Sequence, residues 1–418
     1  MKKLIIEGQK ELSGTIKISG AKNSVVALIP ASVLTKGKCI IKNVPKISDV
    51  KLLLEILKLL GSKVELDKDT LYIDNSNIHN EFIPKDIASK MRASYYFMGC
   101  LLSRFGYAKV SYPGGCTIGA RPINYHTAGF EKLGANITVE DDINYIIEAK
   151  ELIGNNIFLE FASVGATINI MFSAVRAKGT TVIHNVAKEP EIINIGQFLN
   201  SMGAKITGLG TDTITIEGVD ELHDGEITVI PDRIEAGTYM MIGTLLGNNL
   251  KIDGIIPEHL TSVISKLKEA GASLNVKDNH VIINKVDKLE PVNIKTLVYP
   301  GFVTDLGQPM STLLTQCEGT SIFEETIYEN RMRHIKYLNK MGANIDLDGK
   351  VAMIHGKTCL HGETVEATDL RAGAAMLLAG MIAKGTTTIT NIEHILRGYE
   401  NIVTKLTTVG ANIKIIDE

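Results

Sequence analysis

The sequence predicts an α/β protein of two similar domains, each made of three copies of one strand-and-helix unit, six copies in all. A short phrase closes an amphipathic stretch six times, as LLGSKVE, KLGANIT, SMGAKIT, EAGASLN, KMGANID and TVGANIK. Its glycines stand at 61, 134, 203, 271, 342 and 410, so the spacings are 73, 69, 68, 71 and 68 residues. About two dozen residues before each comes a turn leading into a Val-, Ile- and Thr-rich run: KGKCII, FGYAKV, KGTTVI, GNNLKI, EGTSIF and KGTTTI. Finally, 418 residues are more than a single hydrophobic core usually serves.

Each copy reads, in order, as strand, buried helix, strand, amphipathic helix and a closing pair of strands. The first helices, such as NSVVALIPASVL and RAGAAMLLAGMIA, are apolar or small nearly all round and therefore belong inside. The strands after the turns carry β-branched residues. The second helices, such as DVKLLLEILKLLG, have one apolar face, and the trailing glycine reads as a C-cap in the left-handed conformation. Grouping three copies with three puts a division near residue 230, with no low-complexity linker to mark it. A cleft between two such domains is a usual ligand site.

Composition narrows the partners. Lys and Arg number 44 against 47 Asp and Glu, a net charge of -3, which provides no footprint for nucleic acid or an anionic membrane. Three apolar residues between MKK and Glu7 do not make a signal peptide, and the longest nearly apolar run, 372–383, is short of a membrane span. A cytoplasmic protein is expected. Five cysteines, at 39, 100, 116, 317 and 359, lack paired or metal-type spacing, so a reduced compartment is expected and a disulfide framework or metal site is not. No Walker-type phosphate loop appears, and no cofactor is expected.

From turn glycine to end glycine the copies run 24, 28, 24, 24, 23 and 25 residues, and the surplus of the second is YPGGCTIGARP. Cys116 thus sits in an insertion that the other copies lack. Cys100 and Cys317 are expected on buried first helices and Cys39 and Cys359 on or beside strands, which leaves Cys116 as the thiol presented by a loop, with Arg121 near enough to favour a thiolate.

Two positions recur across the copies. Fourteen residues before the turn glycine, at the start of the first helix, stand Asn23, Arg92, Gly165, Arg233, Asp305 and Arg371; twelve after it, near the second helix, stand Asp49, Glu191, His259, Arg331 and Arg397, with Arg121 at the equivalent place in the second copy. Arginines at helix starts oppose the macrodipole, a cost that a shared anion removes. Lys22 and Asn23 in SGAKNS fit the same scheme. Asp305 and Asp369 each follow a threonine and read as N-caps, although an Asp ionised among arginines is also able to accept a proton. His126 and His394 read as satisfied polar contacts in loops.

These segments resemble the enolpyruvyl transferase family, in particular the branch acting on UDP-N-acetylglucosamine. The resemblance spans the chain: SGAKNS (19–24), GGCTIGARP (114–122), SVGAT (163–167), EPEI (189–192), DRIEAGTY (232–239), TDLGQPM (304–310), ENR (329–331), TDLRAG (368–373) and LRGYEN (396–401). It implies an inside-out α/β barrel in each domain, with helices inside, and domains of residues 22–230 and of 1–21 with 231–418. It implies transfer of the enolpyruvyl group of phosphoenolpyruvate to the 3-hydroxyl of the aminosugar through a tetrahedral ketal, an early step toward peptidoglycan precursors. In that reading Cys116 is the general acid and adduct former, on a lid loop and open to alkylation by fosfomycin, and Asp305 accepts the hydroxyl proton. Lys22, Arg121 and Arg397 hold phosphoenolpyruvate, with Asn23, Arg331 and Arg371 close by. Arg92, Arg121, Pro122, Ile123, Asn124, Tyr125, Phe161, Ala162, Ser163, Val164 and Ile327 contact the sugar nucleotide.

Asn124 stands where many members carry Asp, and Phe161 where some carry Lys. The sister enzyme acting on shikimate 3-phosphate shares fold and chemistry but lacks the cysteine loop. An RNA-end cyclase would bring ATP and a nucleophilic histidine, and a six-unit polymerase clamp a basic inner surface; neither accounts for GGCTIGARP.

Overall fold

In a computed structural model, which describes residues 2–114, 118–119 and 122–417, the chain divides into two compact units. One holds residues 20–114 and 122–230, the other residues 2–19, 118–119 and 231–417.

In the 20–230 unit the three inner helices, Lys22–Ala31, Tyr96–Phe105 and Val164–Ala174, pack on one another. They are hidden nearly all round: Ser24 to Ala31 is buried without interruption, as is Gly165 to Ala174. Close packing needs a small residue at one crossing, for a Cβ on Gly99 would lie 2.6 Å from the Asn169 carbonyl oxygen. Three sheets surround these helices. Their spatial orders are Gly225–Thr228, Lys38–Lys42, Thr70–Asp74, Lys63–Asp67; then Tyr107–Ser111, Asn144–Glu148, Asn136–Glu140; then Asn156–Phe158, Thr180–His184, Thr213–Glu217, Lys205–Thr207.

The other unit repeats the plan with inner helices Arg233–Leu246, Gly307–Leu314 and Leu370–Ile382. Its sheets run Leu12–Lys17, Gly247–Asp253, His280–Asn284, Ser273–Val276; Ile294–Lys295, Gly319–Glu324, Val351–Gly356, Asn344–Asp348; and Thr364–Glu366, Thr386–Thr390, Lys2–Glu7, Asn412–Asp417. Three strands that precede an inner helix, Asn156–Phe158, Ile294–Lys295 and Thr364–Glu366, pair parallel to the strand that follows it, as Ile157 with Ile183 and Val365 with Ile389, the usual consequence of a helical crossover. Each unit has its own apolar core. This is the twofold inside-out α/β architecture, helices inside and sheets outside.

The outer helices pack by one face. Along Ser48–Leu59 the buried positions are Asp49, Val50, Leu53, Ile56 and Leu57, a helical stripe. All six end glycines adopt left-handed φ, from +85° at Gly271 to +112° at Gly410, as a C-cap there requires.

Strand exchange joins distant parts of the sequence. Leu12–Lys17 runs just ahead of helix Lys22–Ala31, yet pairs with Gly247–Asp253; Gly225–Thr228 runs just ahead of helix Arg233–Leu246, yet pairs with Lys38–Lys42. The sixth copy has only one closing strand of its own, and Lys2–Glu7 supplies the other, lying antiparallel to both neighbours. Among the described residues no helix is long and apolar enough to cross a membrane.

Candidate active site

The described site residues fall into a group in each unit. In the 231–417 unit the centre is Asp305, inside the short 3-10 turn Thr304–Leu306. Arg331 Nη2 donates to its Oδ1 at 2.7 Å and Arg371 Nη2 to its Oδ2 at 2.9 Å. The two guanidinium side chains are almost entirely buried, at 3% and 4% exposure, while the carboxylate keeps 27%. Burial alone would lower the Arg371 pKa; the Asp305 charge, with Tyr399 and Asp232 beyond it, outweighs this and drives it upward, so Arg371 stays charged. Its guanidinium also stacks over the Tyr399 ring at 5.6 Å. Arg331 Nε is buried without a hydrogen-bond partner.

The N-cap reading therefore holds for one aspartate and fails for the other. Asp369 caps helix Leu370–Ile382, accepting from the Arg371 and Ala372 N–H groups. Asp305 caps nothing; the residue ahead of its turn is Val303, and its oxygens are taken by arginines from two other segments. The helix-start reading of the arginines is also corrected in part. Arg371 stands at the second residue of its helix, but Arg331 lies in a turn ahead of Ile335–Lys340, and Arg397 follows the short helix Glu393–Leu396, five residues before Ile402–Thr408. Ile327 is half-buried, its N–H bonded to Glu325 Oε1 at 2.8 Å.

In the 20–230 unit Lys22 opens the helix Lys22–Ala31 and its Nζ lies 3.2 Å from Asp49 Oδ2, with half-buried Asn23 beside it. Asp49 sits in the first turn of Ser48–Leu59, where a carboxylate suits the helix dipole. A second cluster gathers Arg92, whose guanidinium lies 5.7 Å from the Tyr95 ring centre, and His126, edge-on to the same ring at 4.7 Å. His126 is buried on helix Asn124–Lys132, not in a loop, and Asn169 Nδ2 approaches its Nδ1 at 2.8 Å, so it is the satisfied histidine expected. A Cβ on Gly165 would come within 2.7 Å of the Tyr95 hydroxyl, which explains glycine in SVGAT. Ser163 caps the helix Val164–Ala174 through Ala166 N–H at 3.3 Å. Ala162 and Val164 are half-buried and Phe161 is 42% exposed. Pro122 and Asn124 are exposed, Tyr125 half-buried and Ile123 buried.

Cys116 and Arg121 lie outside the described residues. The other thiols divide sharply. Burial pushes Cys39 and Cys317 up to about 12 and Cys100 well above its ordinary value, so none is a thiolate near neutrality. Cys317 lies just beyond helix Gly307–Leu314 and not on it. Cys359 is exposed on the irregular segment between Val351–Gly356 and Thr364–Glu366, so presentation by a loop does not single out Cys116. Among the described residues no three His, Cys, Asp or Glu side chains are grouped to hold a metal.

Three sheets around buried helices, twice in one chain, are the architecture of the enolpyruvyl transferases. The chain belongs to the EPSP synthase (3-phosphoshikimate 1-carboxyvinyltransferase) family, which it matches over residues 6–406. It is 52% identical over 414 residues to UDP-N-acetylglucosamine 1-carboxyvinyltransferase 2 of Bacillus cereus, covering 99% of this chain and 96% of that one. It is 49% identical over 411 residues to the protein of the same name from Listeria monocytogenes, covering 98% and 97%. The crystal structure of the enolpyruvyl transferase NikO from Streptomyces tendae superposes with a TM-score of 0.91 at 27% identity, over 99% of each chain. EPSP synthase from Acinetobacter baumannii, at 16% identity and a TM-score of 0.76, shares the fold.

Proposed function

We propose that this protein transfers the enolpyruvyl group of phosphoenolpyruvate to the 3-hydroxyl of UDP-N-acetylglucosamine, releasing phosphate. The observation that carries the reading is Asp305, a partly open carboxylate held by two buried arginines. Such a carboxylate, fixed in place and open on one side, is positioned to take the proton of an alcohol brought against it. Near-full-length identity to relatives bearing that activity in their names supports the choice of acceptor over shikimate 3-phosphate.

In the addition step the sugar oxygen bonds to C2 of phosphoenolpyruvate as its proton passes to Asp305, and C3 gains a proton, for which Cys116 is the proposed donor. In the elimination the C2–O bond to phosphate breaks and C3 loses a proton, restoring the double bond. Lys22, Asn23, Arg121, Arg331, Arg371 and Arg397 would meet the phosphate and carboxylate, a pairing that needs several cations. Arg92, residues 121–125 and 161–164, and Ile327 would receive the sugar nucleotide. No cofactor takes part in these steps. A place in peptidoglycan precursor synthesis and in the cytoplasm follows from this substrate pair.

Phosphate release from phosphoenolpyruvate should occur with UDP-N-acetylglucosamine and be absent with shikimate 3-phosphate. Release only with the second acceptor would overturn the assignment.

A further inference from the structure

Arg331 has an unusual support. Its segment is a turn, not a helix, so no regular ladder of backbone hydrogen bonds holds it in place. Its carbonyl instead accepts from the side chain of Gln308, whose Nε2 lies 2.8 Å away and also reaches Asp369 Oδ2 at 3.3 Å. His334 lies beside this amide, its Nδ1 3.5 Å from Gln308 Nε2 and its Nε2 2.6 Å from the Ser311 hydroxyl. Ser311 in turn is 2.7 Å from the Gln308 carbonyl oxygen, so the inner helix, the turn and the imidazole are tied together. Gln308, Ser311 and His334 are all wholly buried. Burial brings the His334 pKa down to about 4, with the Asp369 charge and a hydrogen bond to the Arg331 backbone opposing that fall, so the ring is neutral near pH 7.

We propose that Gln308, braced by His334 and Ser311, is a positioning residue that fixes Arg331 against Asp305 and thereby sets the basicity of that carboxylate. This rests on the reading of Asp305 as the proton acceptor. The amide touches neither Asp305 nor the Arg331 guanidinium; it acts through the backbone of residue 331. Arg371 is held by more than this amide: it lies in the helix Leu370–Ile382, and Asp369 Oδ1 receives its backbone N–H at 2.9 Å, while Gln308 reaches only the other oxygen of Asp369. Loss of the Gln308 amide should therefore loosen the Arg331 arm of the Asp305 clamp more than the Arg371 arm.

The test is Gln308→Met, which keeps the volume and removes the donor. With UDP-N-acetylglucosamine and phosphoenolpyruvate, kcat should fall roughly 10- to 100-fold, the range a small misplacement of a catalytic group produces. The KM for the sugar nucleotide should stay within about twofold, because only uniform binding would move it. The acid limb of the kcat/KM profile should move to higher pH, since Asp305 loses part of the positive field of Arg331 and less of that of Arg371. Full activity, or lost activity with an unmoved acid limb, overturns the proposal. Hydrogen exchange at Arg331 Nε–H, read by NMR on the ligand-free protein with labelled arginine, should speed about tenfold or more in the variant as the segment opens locally. Unchanged exchange sinks the positioning role whatever the reaction proves to be, whereas absence of turnover by the parent chain sinks only the reaction. If Gln308→Met does not fold, Gln308→Asn, which withdraws the amide by one methylene, gives the same readings.

Discussion

Asp305 and Cys359 are the residues at which the structure changes what an experiment should find. Asp305 is no helix cap, so Asp305→Asn removes the counter-charge of two buried arginines while keeping the shape. Activity should drop by roughly 10² or more if the carboxylate is the base. Stability should fall as well, by on the order of 2 kcal/mol, less than the ~3–5 kcal/mol of a fully buried pair because this carboxylate is partly open. Wild-type phosphate release by Asp305→Asn would remove it from the chemistry. For the thiols, iodoacetamide on the native chain should modify exposed Cys359 and spare buried Cys39, Cys100 and Cys317. Fosfomycin carries an anion and depends on neighbouring cations, so it should modify Cys116 and leave Cys359 alone; peptide mass mapping with the label on Cys359 would refute that selectivity.

At the scale of single elements, the six end glycines share one demand, a left-handed φ, and Gly271 isolates it. A Cβ on Gly271 would meet only the Lys288 carbonyl oxygen, at 4.0 Å, so the cost of Gly271→Ala is almost purely that of its +85° φ. About 1–2 kcal/mol should be lost in urea unfolding, and Gly271→Asn should lose less. These caps were legible because the demand is local: a left-handed residue after an amphipathic helix asks for glycine wherever the helix packs. That Asp305 is not a cap was not legible, for the opposite reason. TDLGQPM and TDLRAG look alike as helix starts, and the arginines that decide the first case lie 26 and 66 residues away. Gln308 left no signal either, since one amide at a helix start says nothing of the turn it will meet. His334, held neutral in its element, also yields a pH dependence. Between its ordinary pKa of 6.5 and its folded value of about 4 the unfolded chain binds a proton that the folded chain refuses. Its contribution to stability is thus fully present above pH 6.5 and lost as pH falls through that window, Asp369 softening the loss and Arg331 deepening it. The difference in urea midpoint between pH 7.5 and pH 5 should therefore be smaller in His334→Asn than in the parent; an equal difference would remove His334 from the acid response.

Across the whole molecule, position in the sequence and membership of a core come apart. The sixfold count was readable because every copy repeats its turn and its cap, whereas the assignment of strands to sheets was not. Leu12–Lys17 and Gly225–Thr228 precede equivalent inner helices, and nothing in six or four residues says that each pairs with the other's copy. The resemblance to the enolpyruvyl transferases implied that the first 21 or so residues complete the second domain. In the structure Ile6 stands opposite both Thr387 and Ile413. Ile6 is 1% exposed and belongs to the core of the 231–417 unit, together with Leu4, Leu12 and Ile16. Ile6→Ala should then cost ~2–5 kcal/mol, the range for truncating a buried aliphatic side chain, and should do so selectively. Amide hydrogen exchange followed by mass spectrometry should show faster exchange in Thr386–Thr390 and Asn412–Asp417, more than 370 residues along the chain, with the inner helices Lys22–Ala31 and Tyr96–Phe105 unchanged although they are far closer in sequence. Loss of protection in the two nearer helices at the same rate would mean that the units unfold as one, and that the boundary near residue 230 separates two cores without separating their stability.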